Sequence, residues 1–118
     1  MNMPLMKDST VRTHLDLSTA HVTQADMNLM ADEAVANLDQ DGPGAAVPVA
    51  VYPYGAILFV LHYHDEPEER EQHLEEVRQA GYSEAVVELI KLAWELDVDM
   101  IRLDRDAETR DDLATFEW

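Results

Sequence analysis

The chain contains no cysteine. That absence excludes a disulfide framework, a thiol nucleophile and any cysteine-ligated metal. Glycine is scarce, with four residues, and Gly42 and Gly44 share a single turn, so no glycine-rich phosphate loop exists. Aromatic residues make up 7% of the chain, and Lys7 and Lys91 are the only lysines. No apolar run approaches the roughly 20 residues that a membrane span requires, and the longest, Ala56 to Leu61, has strand length. Met1 to Thr10 lacks the apolar core of a signal peptide and reads as a flexible N-terminus. These absences lead us to expect a cytoplasmic protein with no membrane partner.

What is abundant is negative charge. The 118 residues carry 25 Asp and Glu against 8 Lys and Arg, a formal net charge of −17. Such a field repels phosphate, which excludes direct binding of nucleic acid or an anionic membrane and favours a basic protein surface as partner. Residues 1–61 have net charge −5 and residues 62–118 have −12, so the second half holds most of the field. A hydrophobic fraction of 47% is ordinary for a globular domain, and the length suits one domain over residues 1–118.

Val11, Thr13, Leu15 and Leu17 alternate with Arg12, His14 and Asp16, the period of a half-buried strand. Thr23 with Asp26 has the spacing of a helix cap. Met27, Met30, Ala31, Ala34, Val35 and Leu38 then predict a helix over Gln24 to Leu38, ended by Gly42-Pro43-Gly44. Val47 to Tyr52 and Ala56 to Tyr63 flank Pro53-Tyr54-Gly55 as a hairpin. Glu68 to Ala80 reads as a helix with Leu74 and Val77 inward. Ser83 opens another, whose apolar face is Val86, Val87, Leu89, Ile90, Ala93, Trp94 and Leu96. Asp99 to Asp104 is a last strand, and Leu113, Phe116 and Trp118 anchor the tail. The order predicts an α+β fold, a ferredoxin-like β-α-β-β-α-β sandwich with an additional acidic helix outside its core, before the last long helix.

The acidic helical segment, residues 65–80, is the strongest local feature. Asp65, Glu66, Glu68, Glu69, Glu71, Glu75 and Glu76 are seven acids within twelve residues. Helical spacing sets side chains three or four apart at about 5–6 Å, where like charges destabilise by a few tenths of a kcal/mol per pair. The bland reading is a solvated helix face. The sharper one is a row of carboxylates resembling a phosphate backbone in sign and charge density. A second acidic group, Asp97, Asp99, Asp104, Asp106, Glu108, Asp111 and Asp112, is interrupted by Arg102, Arg105 and Arg110, and its last five acids are the expected contacts. It fails the EF-hand pattern, lacking the mid-loop glycine and the terminal glutamate at its spacing.

His62 and His64 project from one strand face, and in a ferredoxin-like order His14 lies on the neighbouring strand. Three imidazoles with Asp16 would suit zinc only if they converge, and no common zinc spacing is present. The competing reading is that His62 and His64 mark where a central strand meets solvent. His21, close after Ser18, has the makings of a base for a hydroxyl nucleophile, but no Gly-x-Ser-x-Gly elbow accompanies it. Tyr52, Tyr54, Phe59, Tyr63 and Tyr82 suggest base stacking on a sheet, which the charge opposes.

Leu17-Ser18-Thr19-Ala20-His21, Tyr54-Gly55, Leu103-Asp104-Arg105-Asp106-Ala107 and Thr115-Phe116-Glu117-Trp118 together resemble a family of small uncharacterised acidic proteins. That family is associated with bacterial plasmids, phages and other mobile elements. The resemblance implies a setting in which small acidic proteins inhibit host defence, as anti-restriction and anti-CRISPR proteins do.

The expected function is therefore a non-enzymatic inhibitor or decoy, without cofactor, that binds the basic nucleic-acid-binding surface of a host complex. Its expected contacts are both acidic groups. The alternatives are an interaction module dimerising through an open sheet face, a metal protein using His14, His62 and His64, or acidity as adaptation to a salt-rich cytoplasm.

Overall fold

The computed structural model describes residues 12–38, 47–60 and 66–117. The elements run β1 (His14–Ser18), a 3-10 turn (Thr19–His21), α1 (Gln24–Leu38), β2 (Val49–Tyr52), β3 (Gly55–Phe59), α2 (Pro67–Gln79), α3 (Glu84–Leu96) and β4 (Met100–Asp104). The α+β class and the presence of three helices agree with the sequence reading, but the acidic helix does not lie outside the core as expected: Leu74 and Val77 of α2 are buried in it.

The sheet differs from a ferredoxin-like one in strand order, which is β1-β4-β3-β2. β1 runs parallel to β4, and β4 and β2 run antiparallel to β3. In the expected arrangement β1 would lie beside β3; here β4 separates them. The additional helix supplies the reason. One helix between two strands returns the chain for a parallel strand. Two helices in succession add a reversal, so β4 comes back antiparallel to β3 and pairs with it directly. β1, with His14 and Asp16 on one face, is left at an edge, where charged side chains are tolerated. Its register is pinned by Asp99: the Thr13 N–H donates to the Asp99 carboxylate at 3.0 Å, and the N–H groups of Asp99 and Met100 donate to the Thr13 carbonyl.

Period-two alternation sorts the sheet faces. Leu17, Val49, Ala56, Leu58, Ile101 and Leu103 are buried in one core with Met30 of α1, Leu74 and Val77 of α2, and Val86, Val87, Leu89, Ile90 and Ala93 of α3. Each fully buried large aliphatic contributes about 1.5–3 kcal/mol. The helices therefore share one side of the sheet. The opposite face carries His14, Asp16, Tyr52, Ile57, Phe59, Met100, Arg102 and Asp104, with Phe59 exposed at its edge.

Two apolar residues assigned to helix faces point outward: Val35 is 66% exposed and Leu96 45%. The helix cap at α1 forms in both directions, with the Asp26 N–H donating to Thr23 Oγ1 at 3.1 Å and the Thr23 N–H to Asp26 Oδ2 at 3.0 Å. α3 ends on Asp97 in the left-handed region, φ 55°, with its N–H returned to the last turn.

Candidate functional site

The acidic helix begins where the sequence has a helix start. Glu66 is extended, Pro67 occupies the first turn without wasting an N–H, and Glu68 and Glu69 face the positive end of the helix dipole. His73, Leu74 and Val77 form the buried stripe. His73 thus belongs to the core, 6.0 Å from the Trp94 ring.

Both cations of α2 are committed. The Arg70 guanidinium lies 5.1 Å from the Trp94 ring centroid. Arg78 donates through Nε to Glu84 at 2.6 Å and reaches Glu75 at 3.5 Å. That contact holds the Glu84 carboxyl below its usual range and the Arg78 guanidinium above its own. Glu66, Glu68, Glu69, Glu71 and Glu76 are exposed and make no ion pair among the described residues. They leave a carboxylate face about 12 Å long between Glu68 and Glu76. Asp65 lies outside the described residues.

The second acidic group is divided. Asp104 accepts the Tyr52 hydroxyl at 2.7 Å and the Asp106 N–H at 2.8 Å, contacts that hold its carboxyl below the usual range. Partial burial, then the same carboxylate, push the Tyr52 hydroxyl up to about 12. Asp112 takes two bonds of 2.9 Å from Arg110 and is likewise held low. Asp106, Glu108 and Asp111 keep exposed carboxylates with no ion pair among the described residues. An open cavity of about 610 Å³ is lined by Asp16, Tyr54, Arg102, Asp104, Asp106, Ala107 and Glu108. Arg102 is already bound to Asp16 at 2.7 Å, and the Arg105 guanidinium lies 5.0 Å from the Tyr54 ring.

The two acidic groups belong to different elements: the first lies on α2, which packs on α3, and the second continues from the end of β4.

His14 lies on β1 beside Asp16, Nε2 to Oδ1 3.2 Å, with Met100 as its strand neighbour. His62 and His64 lie outside the described residues. His21 is 2% exposed, and both ring nitrogens are taken by backbone: Nδ1 at 2.8 Å from the Ala114 carbonyl, Nε2 accepting the Arg110 N–H at 2.8 Å. Ser18 Oγ accepts the Ala20 N–H at 3.1 Å. Both ring nitrogens of His21 are thus engaged by backbone, and neither is bonded to Ser18.

The four sequence boxes meet at one end of the sheet. Leu17 and Ser18 lie beside Leu103 and Asp104, and Gly55 beside Asp104. The Arg105 N–H donates to the Tyr54 carbonyl at 2.9 Å, and the Phe116 N–H to the Ala20 carbonyl at 2.7 Å. Residues 14–118 match the sequence model of a family of unknown function (DUF5983), C-terminal domain. The chain belongs to the DUF5983 family. All four boxes fall inside the matched region of this DUF5983 domain. Comparison with curated proteins and with solved structures gave no match. Among the described residues, no helix is long and apolar enough to cross a membrane.

Proposed function

We propose that this DUF5983 protein binds a basic, nucleic-acid-binding surface of another protein and competes there with nucleic acid. The carrying observation is the outer face of α2, where Glu66, Glu68, Glu69, Glu71 and Glu76 make no ion pair among the described residues while Arg70 stacks on Trp94 and Arg78 is bonded to Glu84. Glu68, Glu69, Glu71 and Glu76 place about one charge per 3–4 Å of helix axis, against about 3.4 Å for one nucleic-acid strand and 1.7 Å for duplex DNA. The favoured target is a complex that grips nucleic acid through its backbone, as host defence nucleases do, in a mobile-element setting within the host cytoplasm. Such an inhibitor of anti-CRISPR or anti-restriction type needs no cofactor and no catalytic group. Asp106, Glu108 and Asp111 offer a second, separate acidic contact.

The test is capture of partners on the tagged protein from a host lysate, eluted by a salt gradient. A nucleic-acid-handling complex that elutes at moderate salt, and that duplex DNA displaces, supports the reading. The triple variant Glu68→Lys, Glu71→Lys, Glu76→Lys should then lose the complex while keeping its circular dichroism. Unchanged capture by that variant overturns the placement on α2.

The exposed Phe59, with Ile57 and Met100 on the helix-free face, favours a second reading as a self-associating module. A monodisperse dimer by light scattering, indifferent to the charge reversal, would select it.

A further inference from the structure

His21 is a buried titratable group that the reading of α2 leaves unused, and the segment 105–117 depends on it. Within the described residues that segment has no helix or strand, only local turns such as the Ala107 N–H donating to the Asp104 carbonyl and the Leu113 N–H to the Arg110 carbonyl. Half-buried Leu113 and Phe116 anchor it apolarly. Its hydrogen bonds to the 3-10 turn are the two at the His21 ring and the one from Phe116 to Ala20.

The partners of the ring fix its protonation pattern. A carbonyl oxygen only accepts, so Nδ1 carries the hydrogen that faces Ala114. A backbone N–H only donates, so Nε2 must present its lone pair to Arg110. Both contacts exist together only in the neutral Nδ1–H imidazole. A proton added at Nε2 sets one N–H against another and removes the acceptor for Arg110.

We propose that His21 is a proton-operated latch for the segment 105–117: the neutral ring docks it and the imidazolium releases it. Imidazole is the side chain whose ordinary titration falls between pH 5 and 8. The charged groups around the ring provide the alternative state. A cavity of about 100 Å³ is lined by His21 together with Glu88 of α3 and Asp112 of the segment. Arg110 is paired with Asp112, Lys91 lies 3.5 Å from Glu88, and Glu117 stands beside Thr19 and Ala20. Glu88 and Asp112 are acceptors for the imidazolium once its bond to Arg110 is broken. Release would also loosen Asp106, Ala107 and Glu108, one wall of the larger cavity. The latch does not depend on the partner proposed for α2.

The test is a pH titration of the whole chain by NMR. At neutral pH the His21 ring should show a protonated Nδ1 and a bare Nε2. On acidification the Arg110 and Phe116 amides should leave their docked shifts with the midpoint of the His21 ring, while Leu58 and Ile101 in the sheet stay in place. Tryptic cleavage after Arg110 should rise about two- to tenfold through the same range, the contribution of one such bond to docking. His21→Gln offers an amide N–H and a carbonyl oxygen and does not titrate, so it should flatten both responses. A protonated Nε2 at neutral pH, Arg110 and Phe116 amides that ignore the ring titration, or a transition that survives in His21→Gln overturns the latch. So does a ring that titrates only as the sheet unfolds.

Discussion

Asp26 in the first turn of α1 accepts both the N–H of Ser83 at 2.8 Å and its hydroxyl at 2.6 Å, so one carboxylate joins the starts of α1 and α3. It also accepts the Thr23 N–H and is 1% exposed. The Ser83 hydroxyl, spent on Asp26, makes no cap bond to its own helix. Nearby, the Tyr82 hydroxyl donates to Glu33 of α1 at 2.6 Å. These bonds tie α1 to the connection between α2 and α3 independently of the apolar core.

Replacing Asp26 with Ala removes these bonds and leaves buried donors without partners. We expect a loss of about 3 kcal/mol, the sum of a helix cap and a charge-assisted bond. Urea unfolding measures it. A loss below about 0.5 kcal/mol, the usual range for surface changes, would mean that Asp26 joins nothing of consequence.

Gly55 is required by a close approach between strands. A Cβ built on it would stand 1.7 Å from the Leu103 carbonyl oxygen, in backbone that cannot swing aside. Gly55→Ala should therefore cost more than about 2 kcal/mol through displacement of β3 from β4. Thermal unfolding of the variant at wild-type temperature would contradict the registered pairing.

Stability should fall in alkali through Tyr52. Its hydroxyl is held to about 12, above the ordinary tyrosine value near 10, by partial burial and its bond to Asp104. A raised folded value stabilises fully below the unfolded one and is lost as pH climbs through the folded one. The window is therefore about pH 10 to 12. Tyr82, pushed up by burial and Glu33, acts in the same direction. Tyr52→Phe should flatten part of the decline, and an unchanged pH profile would remove Tyr52 from it.

The like charges on α2 lower its stability by a few tenths of a kcal/mol per pair, and salt screens them. Melting temperature should rise with salt and level off below about 0.5 M, where the screening length becomes shorter than the spacing of the carboxylates. Glu68→Gln with Glu71→Gln should reduce the rise. Stabilisation that continues into molar salt would point instead to acidity as salt adaptation.

The same contrast explains what was legible in the sequence. Helical periodicity marked α1, α2 and α3 because burial of one stripe is a local pattern, and Thr23 with Asp26 marked a cap because both residues lie in one turn. Val35 and Leu96 broke that pattern because an apolar residue at the margin of a stripe can face solvent when no neighbouring element reaches it.

The sequence by itself determined the charge, the α+β alternation and the acidic run, since composition and period are properties of the chain. Only the tertiary structure decided that β4 lies between β1 and β3, because strand order depends on how many reversals the intervening helices make. It also decided which carboxylates find a partner among the described residues. Asp104 and Asp112 look like Asp106 and Asp111 in sequence, but Tyr52 and Arg110 reach only the first two. His21 gave no more signal than any histidine near a serine. Its role depends on the distant backbone of Arg110 and Ala114, which only folding brings to its two ring nitrogens.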